Sequence, residues 1–153
     1  MPLIIGIEYC KLDSNGRFKL PIAIKKQMEG DDWRFVFTGC LYAPCLELWP
    51  YESFRDELEQ LHKELNPHSI EDNKMLHILS ASNMVEMDSN DRLVIPNEQR
   101  GIIKLSKEIV LQSTGRFMEV WDKETYREYN ETLANYAEKI DERLGRVKNV
   151  PEG

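Results

Sequence analysis

The sequence predicts an α+β protein with a mostly β core, flanking helices and two copies of one unit. An eleven-residue segment at positions 11–21 recurs 75 positions later, at 86–96. Around both copies apolar and polar residues alternate on either side of a turn-forming cluster, which is typical of a β-hairpin. Each copy is followed by a short apolar strand that ends in tryptophan, at 46–49 and at 118–121. A repeat at this spacing predicts two halves that share one core.

The first hairpin is best explained by a three-residue loop. Asn15-Gly16 would also permit a two-residue turn. However, Asp13 at the first position and Gly16 at the fourth favour a type I turn, with Gly16 in the left-handed bulge position. A one-residue slip would mix the polar and apolar faces. The register that separates the faces pairs Asp13 with Arg17, Leu12 with Phe18, Lys11 with Lys19 and Cys10 with Leu20.

The second hairpin follows the same plan with less favourable residues. Asp88 faces Arg92 as Asp13 faces Arg17, but Asp91 stands where the first turn has glycine. Aspartate adopts a left-handed backbone only at some cost. Glu86 and Val94 replace the two lysines that flank the first turn. We therefore expect the second tip to be less cationic and more strained.

The other elements repeat in the same order after each hairpin. The sequence predicts strands at 3–10, 17–20, 33–38, 46–49, 108–113 and 118–121, and helices at 22–28, 50–65, 69–80, 96–100 and 122–144. Ser69 is the expected N-cap of its helix. The first repeat is assigned to residues 5–52, followed by helices over 50–80, and the second to 82–125, followed by the C-terminal helix 122–144. Four short strands cannot cover their own apolar face, so the halves are expected to pair into one barrel-like sheet assembly.

Composition excludes several classes of protein. There is no apolar run of transmembrane length and no signal-peptide pattern, and three cysteines are too few for a disulfide framework or a zinc site. The three histidines have no cysteine or carboxylate partner at the spacing of metal ligands. No Ser/His/Asp order, nucleophile elbow or glycine-rich phosphate loop occurs. We therefore expect a cytoplasmic protein with no cofactor, no metal, no membrane association and no enzymatic activity.

Charge argues in two directions. The formal net charge of −7 disfavours a nucleic-acid partner. The acids are concentrated in predicted helices: residues 52–72 hold seven acids and two basic residues, whereas residues 1–30 hold five basic residues and three acids. Because salt screens charges beyond roughly 8–10 Å, a basic hairpin tip can bind an anion on an acidic body.

The duplicated motifs resemble the MraZ family of bacterial transcriptional regulators, which carry two AbrB-like (SpoVT-AbrB) swapped-hairpin units in one chain. The resemblance rests on Asp13-x-x-x-Arg17 and Asp88-x-x-x-Arg92, on Leu20-Pro21 and Ile95-Pro96, and on the segments 43–50 and 117–122. It implies a duplicated swapped-hairpin β-barrel and a repressor of the division and cell-wall gene cluster. It also implies a homo-oligomeric ring, located at the nucleoid, that binds short direct repeats in its own promoter. Two departures are Asp91 in place of the usual glycine and the acidic helix near residues 71–73.

A two-stranded ribbon fits the major groove, where arginine can bond both acceptors of guanine. The two arginines would read bases, and Asp13 would hold the guanidinium of Arg17 through a bidentate pair. Lys11 and Lys19 would contact phosphates. Lys25 and Lys26 are expected on a solvated helix face. The predicted DNA-binding residues are Lys11, Asp13, Arg17, Lys19, Asp88 and Arg92.

Three alternatives remain open at this point. An Asp–Arg pair on a hairpin is commonly a surface salt bridge. The chain could be an AbrB-like antitoxin that binds DNA and neutralises a toxin. It could also be an oligomeric scaffold that assembles through its sheets without nucleic acid, which its acidic balance favours.

Overall fold

The chain forms a mixed α+β fold with a mostly antiparallel β core. The computed structural model describes residues 3–28 and 30–145. It divides into two compact units, Met1–Lys123 and Glu124–Gly153. Among the described residues, none of the helices combines the length and the apolar character needed to cross a bilayer.

The elements confirm most of the predicted order. The strands are β1 Ile7–Lys11, β2 Arg17–Lys19, β3 Arg34–Gly39, β4 Leu46–Pro50, β5 Ser82–Glu86, β6 Arg92–Val94, β7 Glu108–Ser113 and β8 Met118–Asp122. The helices are α1 Ile22–Lys25, α2 Tyr51–Glu64, α3 Ile70–Leu79, α4 Asn97–Arg100, α5 Lys123–Thr132 and α6 Tyr136–Leu144. Ser69 caps α3 as predicted, because its side chain accepts a hydrogen bond from the backbone N–H of Asp72.

The two halves of the chain exchange strands. Six strands form one antiparallel sheet in the order β1-β7-β8-β4-β3-β5, and β2 pairs with β6 in a separate two-stranded ribbon. The first strand of each half pairs with the third strand of the other, β1 with β7 and β5 with β3. Strands β4 and β8 join the halves at the centre of the sheet. Each half therefore completes the sheet of its counterpart.

The tip of the first hairpin has the predicted turn. The N–H of Asp13 donates to the carbonyl of Arg17 at 2.9 Å, and the N–H of Gly16 donates to the carbonyl of Asp13 at 3.1 Å. Gly16 has a φ of 77°, in the left-handed region. The second tip repeats the turn, with Asp91 at a φ of 61°. The expectation of a strained residue at this position is confirmed.

Beyond the tip the predicted pairing is wrong. Leu12 donates its N–H to the carbonyl of Lys107, and Phe18 lies opposite Leu93 rather than Leu12. The same exchange removes the expected pairs Lys11–Lys19 and Cys10–Leu20. A two-stranded hairpin with one apolar face is marginal in water, and pairing with the other half supplies the missing partners.

The core lies where the alternation predicts it. Phe18, Leu20, Leu93 and Ile95 are buried, and the ring of Phe18 meets that of Phe37 edge to face at 6.5 Å. The two tryptophans predicted as core are also buried, Trp49 and Trp121. The inward faces of β2 and β6 thus anchor the ribbon to the rest of the first unit.

The C-terminal unit departs from the predicted single helix over 122–144. Helix α5 ends at Thr132 and α6 begins at Tyr136. Near the break, the side chain of Asn130 donates to the carbonyl of Tyr126 and that of Thr132 to the carbonyl of Tyr129. Such bonds compete with the helical backbone pattern, which explains why the helix ends here.

Candidate nucleic-acid interface

The ribbon formed by β2 and β6 presents a cationic outer face. Successive side chains of a strand point to opposite faces, so Phe18 and Leu93 point inward while their neighbours point outward. On the outer face Arg17 lies opposite Val94, and Lys19 lies opposite Arg92. Arg17, Lys19 and Arg92 are all exposed. Three cations from the two halves therefore share one short ladder.

Backbone hydrogen bonds hold the two hairpin tips side by side. Leu20 donates its N–H to the carbonyl of Asp91 at 2.8 Å. The equivalent bond of the other half joins the N–H of Ile95 to the carbonyl of Gly16 at 2.9 Å. Each tip is thus fixed by the strand that leaves the other tip, which makes the outer face one continuous surface.

Asp13 fixes its turn and contacts the arginine of the other half. Its Oδ1 accepts hydrogen bonds from the backbone N–H groups of Asn15 and Arg17, at 2.8 and 2.9 Å. Its Oδ2 lies 3.4 Å from Nη1 of Arg92. The expected bidentate pair with the guanidinium of Arg17 is not found among the described residues. The reason is that the turn occupies one carboxylate oxygen and the strand exchange brings Arg92 to the other.

Asp88 has the same role in the second tip. Its Oδ1 accepts from the backbone N–H groups of Asn90 and Arg92, at 2.8 and 3.0 Å. The N–H of Arg92 lowers the pKa of Asp88, and the guanidinium of Arg17 adds to the effect. The pKa of Asp13 is lowered in the same way, first by the N–H of Arg17 and also by the N–H of Asn15 and the guanidinium of Arg92. Both carboxylates are therefore ionised at neutral pH.

Lys11 is separated from the other predicted site residues. It ends β1 in the six-stranded sheet, opposite Glu108, and does not lie across from Lys19.

The prediction that Lys25 lies on a solvated helix face is wrong. Its Nζ lies 2.9 Å from Oδ1 of Asp91 and 5.2 Å from the centre of the Trp33 ring, so it is not on a free solvated face.

The neighbouring positions of Lys19 and Arg92 were not predicted. Local alternation assigns each residue to a face but does not identify the strand opposite, because every antiparallel partner preserves the same alternation. The duplication was the available signal, since two equivalent hairpins can exchange partners. The result is a surface that brings together four of the six predicted residues, Asp13, Arg17, Lys19 and Arg92, with Asp88 at the base of the second turn.

The ribbon has the shape and charge of an anion-binding element. Within residues 3–28 and 30–145, neither Arg17 nor Lys19 forms an ion pair, whereas Arg92 forms one with Asp13. Two cations without an ion pair and one weakly paired cation on an exposed ribbon suit a polyanion such as a nucleic-acid backbone. In the same described part of the chain, no group of three or more histidine, cysteine or acidic residues is arranged to hold a metal ion.

Comparison with known proteins identifies the family. Residues 78–147 match the family model described as "MraZ protein, putative antitoxin-like". The chain is 30% identical to the transcriptional regulator MraZ of Flavobacterium psychrophilum, over 100% of this chain and 99% of that protein. It is 34% identical to the protein of the same name from Christiangramia forsetii, over 93% of both chains. A third similar protein, the transcriptional regulator MraZ of Pectobacterium carotovorum, is 31% identical over 79% of this chain. The chain therefore belongs to the MraZ family of transcriptional regulators.

Proposed function

We propose that this protein is a sequence-specific DNA-binding transcriptional repressor that reads DNA with the outer face of the β2–β6 ribbon. The observation that supports this most directly is the exposed cluster of Arg17, Lys19 and Arg92 on a two-stranded element. We further propose that the target is the division and cell-wall gene cluster and that the sites are short direct repeats in its promoter. The function implies a cytoplasmic chain that associates with the nucleoid and has no enzymatic activity.

Recognition would divide between base and phosphate contacts. The major groove admits a two-stranded β-ribbon, and an arginine fork can bond O6 and N7 of guanine. Arg17 and Arg92 are the groups suited to this contact, which discriminates against a wrong base by about 1–3 kcal/mol. Lys19 and Lys11 are suited to phosphates, which add affinity without sequence preference. Asp13 and Asp88 hold the turns and thereby the positions of the arginines.

One ribbon makes too few contacts for tight and selective binding. We therefore propose a homo-oligomeric ring in which several ribbons face successive repeats, because a tethered second site raises the effective concentration at the next repeat. Within each chain, the exchange of β1, β2, β5 and β6 supports a duplicated swapped-hairpin barrel with repeats at 5–52 and 82–125.

The test is a fluorescence-anisotropy titration of the full chain with two labelled duplexes. One is the DNA upstream of the protein's own gene, and the other has the same base composition in shuffled order. We expect tighter binding to the upstream DNA and a linear fall of log affinity with log salt concentration. Equal affinity for both duplexes would refute sequence-specific recognition, and binding independent of salt would favour the scaffold alternative.

An antitoxin-type DNA-binding protein is the second candidate. The description of the matching family model as antitoxin-like favours it. It would act through the same ribbon but would also bind a partner toxin. A chain purified from its native host that elutes as a single-component assembly and binds the upstream DNA supports the regulator. Stoichiometric recovery of a second small protein supports the antitoxin.

A further inference from the structure

The two hairpin tips face equivalent cations but differ in how these cations are neutralised. Each short helix after a hairpin places a basic residue against the tip of the other half. Arg100 at the end of α4 lies against Gly16, and Lys25 at the end of α1 lies against Asp91. These are corresponding positions of the repeat, since Gly16 and Asp91 both occupy the left-handed turn position.

At the first tip the cation has no carboxylate partner. A Cβ on Gly16 would come within 2.6 Å of Cζ of Arg100, so the guanidinium occupies the space that a side chain would fill. Nη2 of Arg100 donates to the amide oxygen of Asn97 at 2.5 Å, which is a neutral group. Its Nε is buried and has no hydrogen-bond partner. Within residues 3–28 and 30–145, Arg100 makes no ion pair.

At the second tip the equivalent cation is already engaged. Nζ of Lys25 lies 2.9 Å from Oδ1 of Asp91 and sits over the ring of Trp33. Trp33 in turn corresponds to Lys107 at the first tip. The carbonyl of Lys107 accepts the N–H of Leu12, and the carbonyl of Trp33 accepts the N–H of Met87 in the equivalent place. At the second tip an aromatic ring, Trp33, therefore stands in the place of Lys107, and the cation equivalent to Arg100 is paired with Asp91.

Beside the first tip lies an open groove of about 610 Å³. Arg100 and Lys107 contribute to its walls together with Ser14, Ser106 and Asp13. The carboxylate of Asp13 is the one acidic group in this lining, and it is occupied by two backbone N–H groups and by Arg92. The hydroxyl of Ser106 donates to Oδ1 of Asp122 at 2.6 Å, so the groove offers two cations and the hydroxyl of Ser14 to an anion next to the proposed base-reading arginines.

We propose that this groove is a phosphate-binding subsite in which Arg100 and Lys107 hold a phosphodiester of the bound DNA, and that the second tip lacks such a subsite. The inference deepens the proposed DNA-binding function and rests on it. The consequence of a phosphate subsite at one tip alone is that the chain binds a duplex in one direction. The strand pairing gives the two halves nearly equivalent positions, and a phosphate contact at one tip alone distinguishes the two directions along a duplex. Direct repeats, which are themselves directional, require such a distinction.

The first test measures the salt dependence of binding to the upstream duplex for Arg100→Gln, Lys25→Gln and Asp91→Asn. The slope is given as the magnitude of the fall in log affinity per unit of log salt concentration, and each phosphate contact contributes about 0.9 to it. We expect Arg100→Gln to lower the slope by about 0.9 and Lys25→Gln to leave it unchanged. Asp91→Asn should raise it by about 0.9, because it frees Lys25 and asparagine tolerates the left-handed backbone. Equal slopes for the wild type and Arg100→Gln would overturn the subsite. If Arg100→Gln does not fold, Lys107→Gln, which removes the exposed cation of the same groove, decides in its place by the same criterion.

A second test separates the subsite from the proposed function. Inorganic pyrophosphate is titrated into the isotope-labelled full chain while the Nε–H resonance of Arg100 is followed by NMR. A saturable shift that is absent from the resonances of Arg55, an exposed arginine on α2, supports the anion subsite. No shift, with wild-type DNA binding intact, overturns the subsite and leaves the regulator standing. A shift without any DNA binding by the wild type overturns the proposed function and leaves an anion site.

Discussion

Lys19 of β2 lies directly opposite Arg92 of β6, so that each half of the chain contributes one cation to the same rung of the ribbon. Like charges directly opposite in an antiparallel pair destabilise the folded state, and cross-strand pairs are worth roughly 0.2–1 kcal/mol. Asp13 offsets part of this repulsion through its contact with Arg92. The remaining positive charge costs folding stability and favours binding of a polyanion.

Lys19→Gln should therefore change stability and DNA binding in opposite directions. Removing one of the facing charges is expected to raise the free energy of unfolding by up to about 1 kcal/mol, as measured by urea denaturation. The same change should lower the salt slope of DNA binding by about 0.9, because one phosphate contact is lost. Lys74→Gln, on the exposed side of α3, is the control and should change neither. A loss of stability in Lys19→Gln would show that the repulsion is not significant.

Arg17→Ala is expected to weaken binding to the upstream DNA without affecting the fold. Its side chain is exposed and makes no ion pair among the described residues, so its removal leaves no unpaired buried group. Loss of a bidentate guanine contact corresponds to a loss of about 5- to 150-fold in affinity. Arg55→Ala, which removes an exposed arginine of α2, is the matched control. Unchanged discrimination between upstream and shuffled DNA in Arg17→Ala would remove this residue from the reading surface.

Arg92→Ala should cost less affinity than Arg17→Ala. In the unbound chain the guanidinium of Arg92 already contacts Asp13, and this contact must weaken for Arg92 to reach a base. Part of the energy gained from DNA is therefore offset by the lost contact. Side-by-side titrations of both variants against the same duplex measure the difference. A larger loss for Arg92→Ala would indicate that Asp13 orients this arginine instead of competing with DNA for it.

Phe18→Ala should destabilise the fold by about 3–5 kcal/mol, because it opens a cavity at a fully buried site between the ribbon and Phe37. Ile22, the first residue of α1, is more than half exposed, so the free energy of unfolding of Ile22→Ala should stay within about 0.5 kcal/mol of the wild-type value. Urea denaturation followed by tryptophan fluorescence compares the two. Equal effects would contradict the assignment of the inner face of β2 to the core.

Acid should weaken both hairpin tips. The pKa values of Asp13 and Asp88 are lowered in the folded chain, so the native state binds fewer protons than the unfolded state near these values. The stability that the carboxylates contribute is complete above the ordinary aspartate pKa of about 3.9 and is lost as pH falls through the lower folded values. Denaturation between pH 5 and 2 should show a shallower acid loss in the double variant Asp13→Asn, Asp88→Asn. Parallel pH profiles would show that the turn bonds contribute nothing measurable.

Local features were predictable where a short segment determines them. Asp13 and Gly16 define the first turn, and period-2 alternation correctly assigns Phe18 and Leu20 to the core. The partner of each strand was not predictable in this way, because Leu12 can bond Lys107 and Phe18 can face Leu93 without any change of face. Sequence also did not indicate the break between α5 and α6, where polar side chains bond the helix's own carbonyls.

The asymmetry of the tips was only partly visible in the sequence. Asp91 in place of glycine predicted strain, which the positive φ confirms. Its ion pair with Lys25 depends on the exchange of strands and joins residues from opposite halves. For the same reason the position of Arg100 against Gly16 could not be inferred from either repeat alone.

The most direct test of the ribbon as the DNA-reading surface is a competition titration with the double variant Arg17→Ala, Arg92→Ala. Its affinity for the upstream duplex and for the shuffled duplex is measured at one salt concentration beside that of the wild type. We expect the wild type to prefer the upstream duplex and the double variant to bind both duplexes with the same weak affinity, at an unfolding midpoint no lower than that of the wild type. A double variant that folds normally and retains the wild-type preference would contradict the account.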